Sequence, residues 1–191
     1  MSKKRNRIKK KKYHYVDASM TRRFISYIID WYLGGLCTAI PIAITSQKLS
    51  GTMLDQNIVD FKQPFGVIAG LLAIVFAIFY FVVIPTFIYP GQTPGKRICK
   101  IKIIQNDDQP ITIKNILLRQ LLGMIVIEGV LVTASAIFHE VLTIITQVNF
   151  VTPLMYLGFA VTIISILLYL FKGEHRALHD YIGNTKVVDC K

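Results

Sequence analysis

Four stretches of the chain are nearly free of charge and long enough to cross a bilayer, for which about 20 helical residues are needed. Residues 24–46 carry one charge, Asp30, and residues 66–89 lie inside an uncharged run, 63–95. Residues 117–138 carry Arg119 near one end and Glu128 near the middle, and residues 150–171 close an uncharged run that starts at position 141. Between the second and third stretches the period changes. Residues 89–95 are dense in turn formers, and 97–104 (RICKIKII) alternate with the period of about two that marks a strand. Residues 106–110 supply a turn and 111–113 a short return strand, so a β-hairpin over about 97–113 is expected beneath the membrane. Residues 185–188 are a further strand candidate that would cover one hairpin edge. The expected fold class is an all-α membrane protein, with four transmembrane helices and a small cytoplasmic β-hairpin element.

Charge placement gives an independent check on these spans. Of 191 residues only 17% are charged, against about 25% in an ordinary soluble domain, yet the net charge is +11. Ten Lys/Arg precede the first span, six lie between positions 96 and 119, and four follow the fourth span, together 20 of the 22. Four spans with both termini and the middle loop in the cytoplasm put all of these on the inner side, whereas three spans would strand one cluster outside. A multi-pass protein of the cell membrane is the expected location. The basic stretch before the first span is too long, and Asp30 too disruptive, for a cleaved signal segment.

Residues 1–21 are a block of like charge with little to bury, expected to form a disordered cytoplasmic tail attracted to anionic lipid rather than nucleic acid. Residues 22–190 form the membrane domain. Three cysteines without metal spacing exclude a disulfide framework and a structural zinc site. No cofactor is implied. His175, His179 and Asp180 lack the third ligand and geometry of a metal site. No nucleophile–base pair is legible, so the chain is not expected to be an enzyme.

The chemistry lies in the intramembrane acids. A carboxylate within a span must be paired, protonated or hydrated, so Asp30 should face the bundle. Arg23, Asp30, Gly34, Cys37 and Pro41 fall along one helical face, and Arg23 stands about 10 Å along the axis from Asp30. Glu128 is a second such acid, at a depth overlapping that of Asp30, so the two are a candidate proton or cation site. The alternative is that each acid is satisfied separately by Arg, Tyr or Ser/Thr partners such as Tyr27 or Ser135. The stretch Gly91-Gln92-Thr93-Pro94-Gly95-Lys96 is one residue short of a phosphate loop, and its prolines fit a turn better.

Three segments resemble the RDD family of bacterial membrane proteins. Residues 22–30 (RRFISYIID) are similar to its opening, 91–97 (GQTPGKR) to its cytoplasmic turn, and 178–188 (LHDYIGNTKVV) to its closing motif. The resemblance makes Arg23, Asp30 and Asp180 the arginine and two aspartates of the family name. It implies a protein of unassigned role, with transport of a ligand, including cation/proton exchange, suggested for members. On that basis Arg23 is expected between Asp30 and Asp180 in one charged cluster. That cluster, with or without Glu128, would exchange protons or cations, in a homo-oligomer if four spans make too thin a pathway. The competing expectation is a non-transporting scaffold or adaptor for a partner membrane protein, with the same charges as a clasp.

Overall fold

A computed structural model describes residues 15–129 and 132–190. Helix α1 (Met20–Ser50) starts where the Ser19 hydroxyl accepts the Arg22 N–H at 3.4 Å and ends at Gly51, whose φ of 76° suits glycine. Its inward face is small and polar: Ser26, Asp30, Gly34, Thr38 and Ser46 are buried, while Phe24, Trp31, Tyr32, Leu36 and Ile40 face outward. Lipid is as apolar as leucine, so close approach of backbones, not burial of large side chains, holds such helices together. Helix α2 (Phe65–Ile88) answers with Ala69, Ala73 and Ala77, buried at four-residue spacing. Its second part, Phe79–Ile88, winds in wider π turns around Pro85.

The four-span expectation meets a structural complication at the third span. Helices α4 (Ile113–Glu128) and α5 (Thr133–Thr146) are bent by 63° to one another, and Gly129 ends the first with φ 47°. By length and apolarity three described helices can cross a membrane, α1, α2 and α6 (Val151–Phe171), or four if α4 and α5 form one broken span. Helix α4 begins earlier than expected because Thr112 and Asn115 cap each other's backbone N–H groups at 3.3 and 3.4 Å. Helix α5 packs on α2, whereas α6 packs on α4 and α5 and leaves most of its surface outward.

The small sheet corrects the hairpin. Strand β1 (Ile101–Gln105) pairs antiparallel with β2 (Thr185–Asp189), with Ile103 opposite Val187. Residues 111–113 are not a strand; their segment leads into the α4 cap. Residues 94–98 are not strand either: Pro94 at the first helical position opens a short helix, α3 (Pro94–Ile98). The pairing anticipated for the C-terminal segment is therefore the one that forms, and it supplies the strand that the hairpin lacks. Ile101, Ile103 and Val187 pack with Ala18, Val82 and Ile116, which fastens the sheet to the ends of α2 and α4.

Residues 15–21 are likewise ordered instead of continuing the tail. Asp17 bridges Val188, and the Ala18 N–H donates to the Val187 carbonyl at 3.1 Å. The remainder of the tail, with its expected attraction to anionic lipid, lies at positions 1–14, outside the described residues.

Candidate functional site

The end of the bundle that carries α3, the sheet and α7 (Leu178–Ile182) gathers all three motif segments, but it sorts their charges into separate partnerships. Asp30 is 3% exposed. Its Oδ1 accepts the Tyr80 hydroxyl at 2.9 Å and the Gly95 N–H at 2.8 Å; its Oδ2 accepts the Thr93 hydroxyl and the Lys96 ammonium, the latter at 3.1 Å. Three of the four donors come from one tetrapeptide, Thr93-Pro94-Gly95-Lys96. This motif is thus an anion cradle of the chain's own, wrapped around a carboxylate instead of a phosphate. Gly95 is required for it, because a Cβ there would lie 2.4 Å from the Ser26 carbonyl and 2.8 Å from Asp30 Cγ. Gly91 serves the turn itself: its φ is 79°, and its carbonyl accepts the Ile103 N–H at 2.7 Å. Gln92 secures the next strand by donating to the Ile101 carbonyl at 2.8 Å. Burial pushes the Lys96 ammonium below its ordinary value, against the pull of Asp30.

Asp180 pairs with Arg119, not with Arg23. Both are buried, and Arg119 also donates to the Thr185 hydroxyl at 3.1 Å. The other Asp180 oxygen accepts the Ala177 N–H at 3.2 Å at the start of α7. Arg176 completes the knot by donating to the backbone carbonyls of Thr185 and Asp180 at 3.0 and 3.2 Å. A buried ion pair is therefore one of the bonds that hold the closing motif to α4.

Arg23 corrects the expected cluster most directly. Its guanidinium donates to three backbone carbonyls, Ala18 at 3.0 Å, His175 at 2.8 Å and Val187 at 2.7 Å. It does tie the C-terminal segment to α1, but by carbonyls and without an aspartate. The reason is positional: the backbone entering α1 and β2 offers acceptors beside Arg23, whereas the Asp30 oxygens are already filled by α2 and α3.

Glu128 also stands apart from Asp30, so the two acids do not share a site. The last residue of α4, it is where α6 and α7 converge. Its carboxylate accepts the Ser165 hydroxyl at 2.8 Å, the His179 N–H at 2.9 Å and His179 Nδ1 at 2.8 Å, and its carbonyl accepts the Thr162 hydroxyl at 2.9 Å. Burial, reinforced by the Arg119 charge, lowers the His179 pKa from its usual 6.5 despite the Glu128 carboxylate. With the carboxylate as acceptor, Nδ1 carries the hydrogen of this bond.

Two adjoining cavities with shared walls distinguish this acid from Asp30. One of about 400 Å³ lies between α1, α4 and α6, walled by Phe24, Tyr27, Met124, Ile166 and Tyr169, with Arg23, Glu128 and His179 on its lining. A second, of about 130 Å³, shares Arg23, Tyr27, Met124, Tyr169 and His179 with the first and reaches Lys96, Arg119 and Asp180. Asp30 itself borders a space of about 10 Å³, room for a single water, beside the unpartnered Gln120 Oε1.

Sequence reasoning placed Asp30 and Glu128 inside the bundle but missed their partners Lys96, Tyr80, Ser165 and His179, and missed Arg119 for Asp180. A usable signal existed: buried charges are paired, so each intramembrane acid required a nearby cation or cluster of donors. The fold, its apolar helices and its motif-bearing end together define a membrane protein. The family model of the RDD family matches residues 17–184, and the chain belongs to that family. No curated protein and no solved structure matches it.

Proposed function

We propose that the chain is a multi-pass transporter of the bacterial cell membrane that exchanges protons for a cation, with Glu128 as the exchanging carboxylate and His179 as its partner. The observation carrying this reading is the position of the pair: an acid at the end of a broken helix, bonded to an imidazole, on the wall of a cavity of about 400 Å³. Discontinuous helices with an ionisable group at the break are how many transporters build a site at membrane depth. In this reading the functional acid moves from Asp30, which four donors seal, to Glu128. The three residues of the family name act as clasps that hold α1, α3 and the C-terminal strand together. The distribution of 20 of 22 Lys/Arg along the chain, before α1, between positions 96 and 119 and after α6, supports a cytoplasmic side for both termini. The reading includes no catalytic step.

A second reading, a non-transporting adaptor, is favoured by one observation: Asp30, Arg23 and Asp180 all find their partners within the chain. Purified full-length protein in proteoliposomes carrying an internal pH dye separates the two. The transport reading expects proton movement on imposing a cation gradient, abolished in Glu128→Gln while the folded fraction is retained. Flux through the natural chain equal to that of empty vesicles would sink it and leave the adaptor, and undiminished flux in Glu128→Gln would sink the role of that carboxylate.

A further inference from the structure

The cavity beside Glu128 has walls unsuited to a small inorganic ion. A hard cation that sheds its water asks for about six oxygen ligands. Here the groups around the carboxylate are mostly spent as donors: the Ser165 hydroxyl and the His179 N–H both point at it, and the Thr162 hydroxyl points at the Glu128 carbonyl. Ser165 in addition accepts the Leu178 N–H at 2.9 Å, which uses one of its two lone pairs. The rest of the wall is aromatic and thioether surface, from Phe24, Tyr27 and Tyr169 with Met20 and Met124.

A volume of about 400 Å³ is that of a site for an organic molecule, for which about 300–1,000 Å³ is usual. Its charges are not equivalent. Arg23 gives three of its five N–H donors to backbone carbonyls and already lies 5.8 Å from the Tyr169 ring centre, a cation on an aromatic face of this cavity, while Glu128 is the carboxylate on its lining. Aromatic faces attract a cation and tolerate its bulk. The cavity also lies between α1 and α6, whose outward faces are apolar, so a ligand dissolved in the bilayer has a short lateral route to it.

We infer that this cavity binds a bulky, weakly hydrated organic cation, with its charge against Glu128 and its apolar groups between Phe24, Tyr27 and Tyr169. The inference rests on the proposed transport site and names its substrate class. Tetraphenylphosphonium and tetraphenylborate have nearly the same shape and opposite charge, so they test the sign of the site without any mutation. Equilibrium dialysis of the detergent-solubilised full chain, corrected with protein-free micelles, should show saturable binding of the phosphonium and none of the borate.

Glu128→Gln should weaken phosphonium binding at least tenfold. Phe24→Ala, at a residue 63% exposed and therefore harmless to folding, should weaken it severalfold, with Phe24→Trp restoring it. Preference for the borate, or phosphonium binding equal to that of protein-free micelles, would overturn the inference. Proton flux driven by inorganic cations without phosphonium binding would overturn it while sparing the transport reading. Glu128-dependent binding without any proton-coupled flux would do the reverse.

Discussion

Replacing Asp30 by asparagine is the sharpest test of the clasp. The side chain keeps its shape, and one oxygen can still accept the Tyr80 hydroxyl and the Gly95 N–H. The other oxygen becomes an amide N–H₂ that faces two more donors, the Thr93 hydroxyl and the Lys96 ammonium. Lys96 is then a buried cation without its counter-charge. Removing one partner of a buried ion pair costs about 3–5 kcal/mol, and that is the loss expected for Asp30→Asn. Lys96→Met should cost less, about 1–3 kcal/mol, because the carboxylate retains three neutral donors.

The double variant should recover stability relative to Asp30→Asn alone, since no buried charge remains there. Unfolding in mixed detergent micelles, followed by far-ultraviolet circular dichroism, measures all three. A loss under about 1 kcal/mol for Asp30→Asn, or a double variant as poor as the two single losses added, would refute the pairing with Lys96.

Further outcomes follow from the same geometry. Gly95→Ala should destabilise by about 1–3 kcal/mol in that unfolding assay, since its Cβ would meet two groups fixed on α1. Arg119→Met strands Asp180 in a buried site and should cost about 3–5 kcal/mol; an unchanged melting curve would remove that clasp. His179 has a folded pKa below its usual 6.5, so the unfolded chain binds the proton more readily. Its contribution to stability is therefore present above pH 6.5 and lost as pH falls through the lowered folded value. Stability against pH should show that acid loss in the natural chain and lose part of it in His179→Gln.

The apolar spans were legible because hydropathy acts residue by residue, without reference to partners. The helix ends were less so. Helix α4 begins at a Thr112–Asn115 cap, and α1 runs beyond the apolar segment at both ends because Ser19 and Gly51 terminate it. Break and bend between Glu128 and Thr133 left no clear mark, since residues 117–138 read as one hydrophobic run. The hairpin failed for an identifiable reason. Period-two alternation begins at position 97, but Pro94 and the pull of Asp30 on the Gly95 N–H turn 94–98 into a helix.

At the site, the acids stood out as isolated charges in apolar sequence, whereas their partners lay up to 66 positions away, in turns and on other helices. The Asp30–Lys96 pair illustrates this. Family resemblance picked out Arg23, Asp30 and Asp180, but it suggested a single cluster. Arg23 found backbone carbonyls, and Asp180 found Arg119.

The account stands or falls on which of the two intramembrane acids can be reached from the membrane. A hydrophobic carbodiimide modifies protonated carboxyls that are accessible from lipid, and peptide mass spectrometry identifies the labelled residue. Labelling at Glu128, increasing as pH is lowered, with Asp30 unmodified, is the predicted result. Modification of Asp30 with Glu128 untouched would contradict it.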